Sequence, residues 1–307
     1  MLRVSPAHLE SFVASLPVTG TFSLFVGPVG QPPWLAHNEH EPHYAASTMK
    51  VALVVAAFRR AEAGRLRLDD EVLVHNDFMS VVGAGRFSLD PADDSDPEPW
   101  ARLGSRVALR WLTYRALVRS SNLATNLVLE AVGVEAAQSV IDSLGAANSS
   151  VVRGIEDADA RAAGLQNMVT AADLALVFSA LTTGQAAGPE SCHEILSVLL
   201  AQQINDGLPA GLPSGTRIAH KSGWTPGISH DVGIVYPDHG PRFVMSVCTT
   251  SELAEQEALD LIAAAAAAAW ADSLAMAARS DGDPLLSKPG TARVQRLIHP
   301  ASTDGGR

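Results

Sequence analysis

Strand-like segments lie near both ends of this chain, and the helical pattern of residues 47–204 separates them. Apolar runs bounded by Gly and Pro mark these segments as residues 20–28, 34–38, 216–223, 230–237 and 242–250. The turn PDHGP joins the last two and indicates a hairpin. This layout predicts an antiparallel sheet flanked by terminal helices, beside an inserted all-helical lobe.

Apolar residues at helical spacing predict the helices. The segments are residues 6–16, 48–64, 107–118, 122–132, 135–144, 171–181, 190–203 and 252–279. We therefore expect an α+β fold and a single domain over residues 1–282, because 307 residues suit one large domain or two packed lobes. Its α/β lobe would comprise residues 1–46 and 205–282, and its helical lobe residues 47–204. Residues 283–307 are expected to form a poorly ordered tail.

The charge balance limits the partners of the chain. A formal net charge of -11 argues against nucleic acid, since phosphate binding needs clustered Lys and Arg. Much of the acid lies in the run DPADDSDPEP (residues 90–99), which we interpret as an exposed loop. Cys192 and Cys248 are too few for a disulfide framework and lack metal-ligand spacing, so we expect two buried thiols and no metal.

The N-terminal and C-terminal segments bear on where in the cell the protein is expected. The first twenty residues have no unbroken apolar core behind a basic start, which is not typical of a signal peptide. Residues 261–278 are apolar, but alanine supplies little transfer energy, so we interpret them as a packed helix and expect no membrane partner. We predict a cytoplasmic monomer, or a secreted one if a leader has been removed.

The first chemical motif is STMK, in which Ser47 and Lys50 stand at the start of a helix. Positions i and i+3 share a helix face, and the helix dipole favours an oxyanion at the first turn. Lys50 lies in the apolar run MKVALVVAAF, where burial would lower its pKa enough for it to act as a base. The pair therefore predicts an activated nucleophile, with a capping serine and a surface lysine as the alternative.

Two further motifs carry polar groups suited to a substrate. SSN places Ser120 and Asn122 between two helices, where a hydroxyl can relay a proton and an amide can bind a substrate amide. KSG places Lys221, Ser222 and Gly223 on a strand, where a lysine and a hydroxyl suit a carboxylate and a glycine permits close approach. A capped helix–helix turn and an ordinary strand end are the alternatives.

Together, STMK, SSN and KSG resemble the signature of the class A β-lactamase and penicillin-binding-protein superfamily of active-site serine hydrolases. The similarity covers roughly residues 20–270. The resemblance implies a two-lobed fold with a five-stranded antiparallel sheet, flanking N- and C-terminal helices and an inserted all-α lobe.

The resemblance also implies roles for individual residues. Ser47 would be the acylated nucleophile and Lys50 its base or proton relay, while Ser120 would be the shuttle hydroxyl. Asn122 would bind the acyl side-chain amide. The carboxylate of the substrate would meet Lys221 and Ser222. The oxyanion hole would use the Ser47 N–H and one from the strand after Gly223, near Trp224 or Thr225.

The sequence departs from the family pattern in three places. Ser121 stands where an aspartate is usual, and Ser222 replaces a threonine. In class A enzymes, the loop that holds the hydrolytic water has a sequence resembling R-x-E-x-x-x-N. Here Glu156 lies three residues after Arg153 instead of two, and Ala160 occupies the asparagine position.

Two interpretations of this loop follow. In the first, the carboxylate of Glu156 or of its neighbour Asp157 positions the deacylating water. In the second, Arg153, Glu156 and Asp157 form a salt-bridged anchor for the loop. The leading function is a serine hydrolase, most simply a β-lactamase of the kind that confers antibiotic resistance, with a small-molecule substrate and no cofactor. The alternatives are a D-alanyl peptidase, esterase or amidase of the same mechanism, and a catalytically silent binding protein on the same scaffold.

Overall fold

The computed structural model describes residues 5–16 and 20–281, so the predicted tail at residues 283–307 lies outside the described part. The helices are α1 (Ala7–Ala14), α2 (Lys50–Glu62), α3 (Pro97–Trp100), α4 (Leu109–Val118), α5 (Asn122–Val132), α6 (Val134–Leu144), α7 (Ala158–Ala162), α8 (Ala171–Thr183), α9 (Pro189–Leu200) and α10 (Glu255–Asp281). The strands are β1 (Thr21–Pro28), β2 (Leu35–His37), β3 (His43–Tyr44), β4 (Glu71–Leu73), β5 (Phe78–Met79), β6 (Arg86–Phe87), β7 (Arg106–Ala108), β8 (Met168–Val169), β9 (Arg217–Thr225), β10 (Ile228–Tyr236) and β11 (Phe243–Thr250). Short 3-10 helices occur at Ala46–Met49, Pro91–Asp93 and Leu208–Gly211.

Five antiparallel strands form the main sheet in the order β2-β1-β11-β10-β9. Strands from both ends of the chain therefore meet, with β1 pairing to β11, which confirms the predicted α+β fold. Because β9 lies at one edge, its motif KSG is paired on one side only. In that pairing Lys221 lies opposite Val232, and Ser222 lies opposite Asp231.

The two faces of the sheet are covered by different helices. One face packs on α1 and α10, where Leu9, Ile262 and Ala266 meet Val247 of the sheet in one buried cluster. The other face packs on the interior helices, and its residues join the large core of the helical region. Helix α2 lies at the centre of that core, since every residue from Lys50 to Phe58 is buried.

Helix α10 is long and apolar enough over Glu255–Ala278 to cross a membrane by length and composition. Its packing against the sheet accounts for the buried alanines on one side, as the sequence predicts for a packed helix. The Asp272 carboxylate joins α10 to α1, because it accepts hydrogen bonds from the His8 and Leu9 N–H groups at 3.2 and 2.9 Å. This side chain supplies the cap that Pro6, at the start of α1, cannot provide.

The acidic run is only partly an exposed loop, contrary to the sequence interpretation. Asp96 is fully buried and pairs with Arg115, and Asp94 accepts hydrogen bonds from the Trp100 indole, the Ser121 hydroxyl and the Leu123 N–H. The run therefore folds onto the start of α5. The predicted helix of residues 107–118 also begins later than expected, because Arg106–Ala108 pairs with β4 as strand β7.

Candidate active site

Ser47 lies in the short 3-10 helix that precedes α2, and Lys50 is the first residue of α2. The preceding residue, Ala46, has a φ of 44°, an uncommon backbone conformation for a residue with a side chain. Ser120 and Glu156 have φ values of 57° and 62°. Left-handed backbone at non-glycine positions costs energy and clusters at functional sites, and three of the four such residues in the described part, all but Asn38, belong to this one region.

The Lys50 ammonium group is fully buried among polar atoms of the SSN motif. Its Nζ donates to the Ser120 carbonyl at 2.6 Å and to the Asn122 Oδ1 at 2.9 Å, and the Ser120 Oγ lies 3.4 Å away. Burial lowers the pKa of Lys50 to about 7, although the charges of Asp94 and Glu156 act in the opposite direction. Near neutrality, a large fraction of Lys50 is therefore uncharged and able to accept a proton.

Ser120 joins the two lysines predicted to act in the site. Lys221 Nζ donates to the Ser120 Oγ at 3.0 Å and to the Ser222 carbonyl at 2.6 Å. Lys221 is also fully buried, and burial together with the nearby Lys50 charge lowers its pKa well below the usual value, while Asp231 opposes the shift. The Ser120 hydroxyl can consequently exchange a proton with either amine.

Ser222 and Gly223 were expected to contact the substrate, but the structure gives each of them a different environment. Side chains alternate along a strand, so Ser222 faces away from Lys221, and its Oγ is buried without a hydrogen-bond partner. Gly223 lies against the turn that carries Ser47, because a Cβ there would stand 2.8 Å from the Ser47 N and 2.9 Å from the Thr48 N. The glycine therefore permits the strand to approach Ser47. The roles in substrate binding stay predictions.

Asn122 uses both ends of its amide within the protein. Its Oδ1 accepts from Lys50, and its Nδ2 donates to the Asp93 carbonyl at 3.0 Å. The acidic run thus helps to orient the residue predicted to bind the acyl amide. Asp94 acts nearby, because it binds Ser121 at the start of α5.

Glu156 presents a carboxylate with one free oxygen. Its Oε2 accepts from the Asp90 N–H at 3.0 Å, whereas its Oε1 is buried without a hydrogen-bond partner. Burial raises the pKa of Glu156, and the negative charges of Asp93, Asp90 and Asp94 act in the same direction, while the Asp90 N–H opposes the shift. A carboxylate with a raised pKa and an unused oxygen is suited to hold and deprotonate a water molecule.

The loop that carries Glu156 is anchored without salt bridges. Within residues 5–16 and 20–281, no ion pair joins Arg153 to Glu156 or Asp157, which corrects the salt-bridged interpretation. Arg153 instead donates to neutral oxygens, including the Leu165 carbonyl and the Tyr44 hydroxyl.

The Asp157 carboxylate has a structural role. It caps α7 at the Ala160 N–H, and it also accepts from the Ser80 hydroxyl and the Val81 N–H. Both carboxylate oxygens are therefore engaged. Of the two neighbouring carboxylates, Glu156 is the one with an oxygen available to a water molecule.

Two asparagines that the sequence interpretation missed hold the loop by its backbone. Asn126 donates to the Ile155 carbonyl and accepts from the Ile155 N–H, both at 2.9 Å. Asn167 accepts from the Val152 N–H at 2.8 Å and the Arg153 N–H at 3.1 Å. A buried asparagine inside a helical or loop sequence has no local pattern that distinguishes it, so only the fold reveals these contacts.

The predicted site residues surround or adjoin a cavity of about 590 Å³. Ser47, Asn122 and Glu156 line it, together with Trp224 and Thr225 from the end of β9. Lys50, Ser120 and Lys221 are buried and connect to it through their hydrogen bonds with one another and with Asn122. The structure therefore brings together the predicted site residues, with the side chain of Ser222 facing the other side of β9.

Comparison with known proteins identifies the chain. The sequence profile of the beta-lactamase enzyme family matches residues 10–272. This chain belongs to the beta-lactamase enzyme family. It is accordingly a member of the active-site serine hydrolases that the three motifs resemble.

Individual relatives agree with the family. A beta-lactamase from Streptomyces lavendulae is 27% identical over 248 residues, which cover 78% of this chain and 76% of the relative. The crystal structure of a beta-lactamase from Sphaerobacter thermophilus is 26% identical, with a TM-score of 0.75 over 88% of this chain and 97% of that chain. PBP-A shares the fold at 20% identity, with a TM-score of 0.73 over 86% and 95% of the two chains.

Gly223→Ala should separate strand β9 from the nucleophile turn, because its new Cβ would overlap the backbone of Ser47 and Thr48. We expect acylation of Ser47 to slow by on the order of 10²-fold, since displacements of about 1 Å have effects of that size. Gly64→Ala is the control: its φ of 66° makes the substitution strained, but a Cβ there meets nothing within 4 Å. Stopped-flow acylation kinetics would measure both variants, and a fully active Gly223→Ala enzyme would contradict the role of the close contact.

Proposed function

We propose that this protein is a serine β-lactamase that hydrolyses β-lactams through an acyl-enzyme at Ser47. The observation that carries the proposal is the buried Lys50, one turn from Ser47, with a pKa of about 7 and hydrogen bonds to the SSN motif. The relatives named as beta-lactamases support the choice of substrate. A silent binding protein is not favoured, because Ser47, Lys50 and Lys221 are all in place.

Acylation begins when neutral Lys50 accepts the Ser47 proton as the Ser47 Oγ attacks the lactam carbonyl carbon. The hydrogen bonds of Lys50 run to Ser120 and Asn122, and catalytic hydrogen bonds often tighten only in the substrate complex. Opening of the ring breaks the bond between that carbon and the lactam nitrogen, and Ser120 gives the nitrogen a proton. Lys50 or Lys221 then returns a proton to Ser120, which lies within 3.4 and 3.0 Å of the two amines.

In this mechanism, the turn that carries Ser47 and the end of β9 stabilise the negative charge that develops on the carbonyl oxygen. The N–H groups of Ser47 and of Trp224 or Thr225 would donate to the developing oxyanion. The substrate carboxylate would be bound near Lys221, whose amine is held at the inner end of the cavity by Ser120.

Deacylation requires a water molecule and a base on the other side of the acyl group. Glu156 is our candidate, because its Oε1 is unpartnered and its Oε2 is fixed by the Asp90 N–H. It would accept a proton from water as the water oxygen attacks the ester carbonyl. The bond between the carbonyl carbon and Ser47 Oγ then breaks, the proton held by Glu156 passes to Ser47 Oγ, and the hydrolysed acid leaves. This step distinguishes a β-lactamase from a protein that remains acylated by penicillin.

Ser47→Ala should abolish covalent labelling by benzylpenicillin, because it removes the attacking oxygen. Intact mass spectrometry over time should show the wild type gaining and then losing the mass of one penicillin. Ser120→Ala is the matched control, since it keeps the nucleophile and should still form the adduct, but slowly. Equal labelling of the wild type and Ser47→Ala would exclude Ser47 as the nucleophile.

Lys50→Arg should lower the acylation rate by on the order of 10²–10⁴-fold, because arginine keeps the charge but cannot deprotonate near neutrality. In the wild type, the acylation rate should rise as pH increases and level off above about 7, where Lys50 becomes neutral. The arginine variant should lose this step. A variant with near wild-type turnover and the same pH profile would show that Lys50 is only structural.

Glu156→Gln should leave acylation nearly unchanged and slow deacylation by on the order of 10²–10⁴-fold, because the amide keeps the shape but not the basicity. The adduct should accumulate in mass spectra. Asp157→Asn is the neighbouring control, and it should lower the melting temperature and weaken both steps, because Asp157 caps α7 and holds Ser80. Rapid hydrolysis by Glu156→Gln would transfer the role of base to another group, with Lys50 as the first candidate.

A further inference from the structure

The hydrogen bond between Ser120 and Lys221 joins two elements that are distant in the sequence. Ser120 lies two residues after the end of α4, whereas Lys221 lies on β9, 101 residues further along the chain. Because β9 is an edge strand, no strand among the described residues lies on its outer side to fix its distance from α4. A hydrogen bond of 3.0 Å is lost with a displacement of less than 1 Å, so a separate contact must hold these two elements in place.

Gln202 lies between the two elements, just after α9. Its Nε2 donates to the Leu117 carbonyl in the last turn of α4 at 3.0 Å, and to the His220 carbonyl of β9 at 3.4 Å. Leu117 is three residues before Ser120, and His220 is the residue before Lys221. One amide group thus connects the backbones on either side of the Ser120–Lys221 contact.

The orientation of this amide is fixed from its other end. The Gln202 Oε1 accepts from the Gln203 N–H at 3.0 Å and from the Ile204 N–H at 3.2 Å. The Gln203 N–H also donates to the Val118 carbonyl at 3.2 Å, which ties the same segment to the end of α4. Gln202 is only 8% exposed, so water does not easily replace these bonds.

We propose that Gln202 is a positioning residue that holds the Ser120 turn against Lys221 for proton transfer to the lactam nitrogen. The chemical part of this inference rests on the proposed function, while the geometric part does not. Loss of the amide frees the Leu117 and His220 carbonyls and allows β9 to move outward. The effect falls mainly on the acylation step, because a displacement of less than about 1 Å breaks the Ser120–Lys221 hydrogen bond needed for proton transfer but changes carboxylate binding near Lys221 less.

The test compares Gln202→Met, which keeps the length and bulk of the side chain, in the wild-type and Ser120→Ala backgrounds. Stopped-flow measurements with benzylpenicillin give the acylation rate constant and the dissociation constant of the first complex. We expect the rate constant to fall about tenfold in the wild-type background and less than about twofold in Ser120→Ala, with the dissociation constant changing by less than the rate constant does in the wild-type background. Asp272→Asn, on the far face of the sheet, controls for a general loss of stability and should leave the rate unchanged.

Equal proportional losses in both backgrounds, or a loss confined to the dissociation constant, would overturn the proposal. If Gln202→Met does not fold, Gln202→Glu keeps the acceptor, loses the two donors and should give the same pattern. If penicillin does not acylate the wild type, the proposed function fails, and a crystal structure of the folded variant decides the geometric part. A Ser120 Oγ–Lys221 Nζ distance still near 3.0 Å would then refute it.

Discussion

The structure depends on two buried lysines that meet at one hydroxyl. Lys50 and Lys221 have no exposed surface, and both approach the Ser120 Oγ. Two ammonium groups so placed would repel one another without water to screen them, so burial favours a state in which at least one amine is neutral. The same cost that makes these residues unusual in a core lowers the pKa of both amines, that of Lys50 to about 7.

The two lobes supply the rigid frame that this arrangement requires. Lys50 belongs to a helix that is buried on all sides, Ser120 to the turn between α4 and α5, and Lys221 to the edge of the sheet. Both lobes contribute to one continuous core, which includes Val232 and Ile234 of the sheet as well as α2. The contacts of both lysines with Ser120 therefore depend on the packing of the sheet against the helices.

The sequence predicts contacts between residues close together in the chain, but not those between residues far apart. Ser47 and Lys50 lie one turn apart, so helical spacing alone placed them together. The Ser120–Lys221 contact spans 101 residues and was not predicted, because the family resemblance gave the two residues only separate roles in one site. Asp96 was interpreted as exposed because its burial depends on Arg115, a partner that the charge pattern of the run does not reveal.

The loop before Glu156 is held through its main chain, since Asn126 binds the Ile155 N–H and carbonyl and Asn167 binds those of Arg153. Main-chain atoms are the same whatever side chain a residue carries. The side chains of Val152 and Ile155 can therefore vary while the Glu156 carboxylate keeps its place at the cavity, whereas the Arg153 side chain makes contacts of its own to Leu165 and Tyr44. Such a loop can depart from a short sequence motif and still place the Glu156 carboxylate at the cavity, because the motif records side chains and the anchoring bonds run to the main chain.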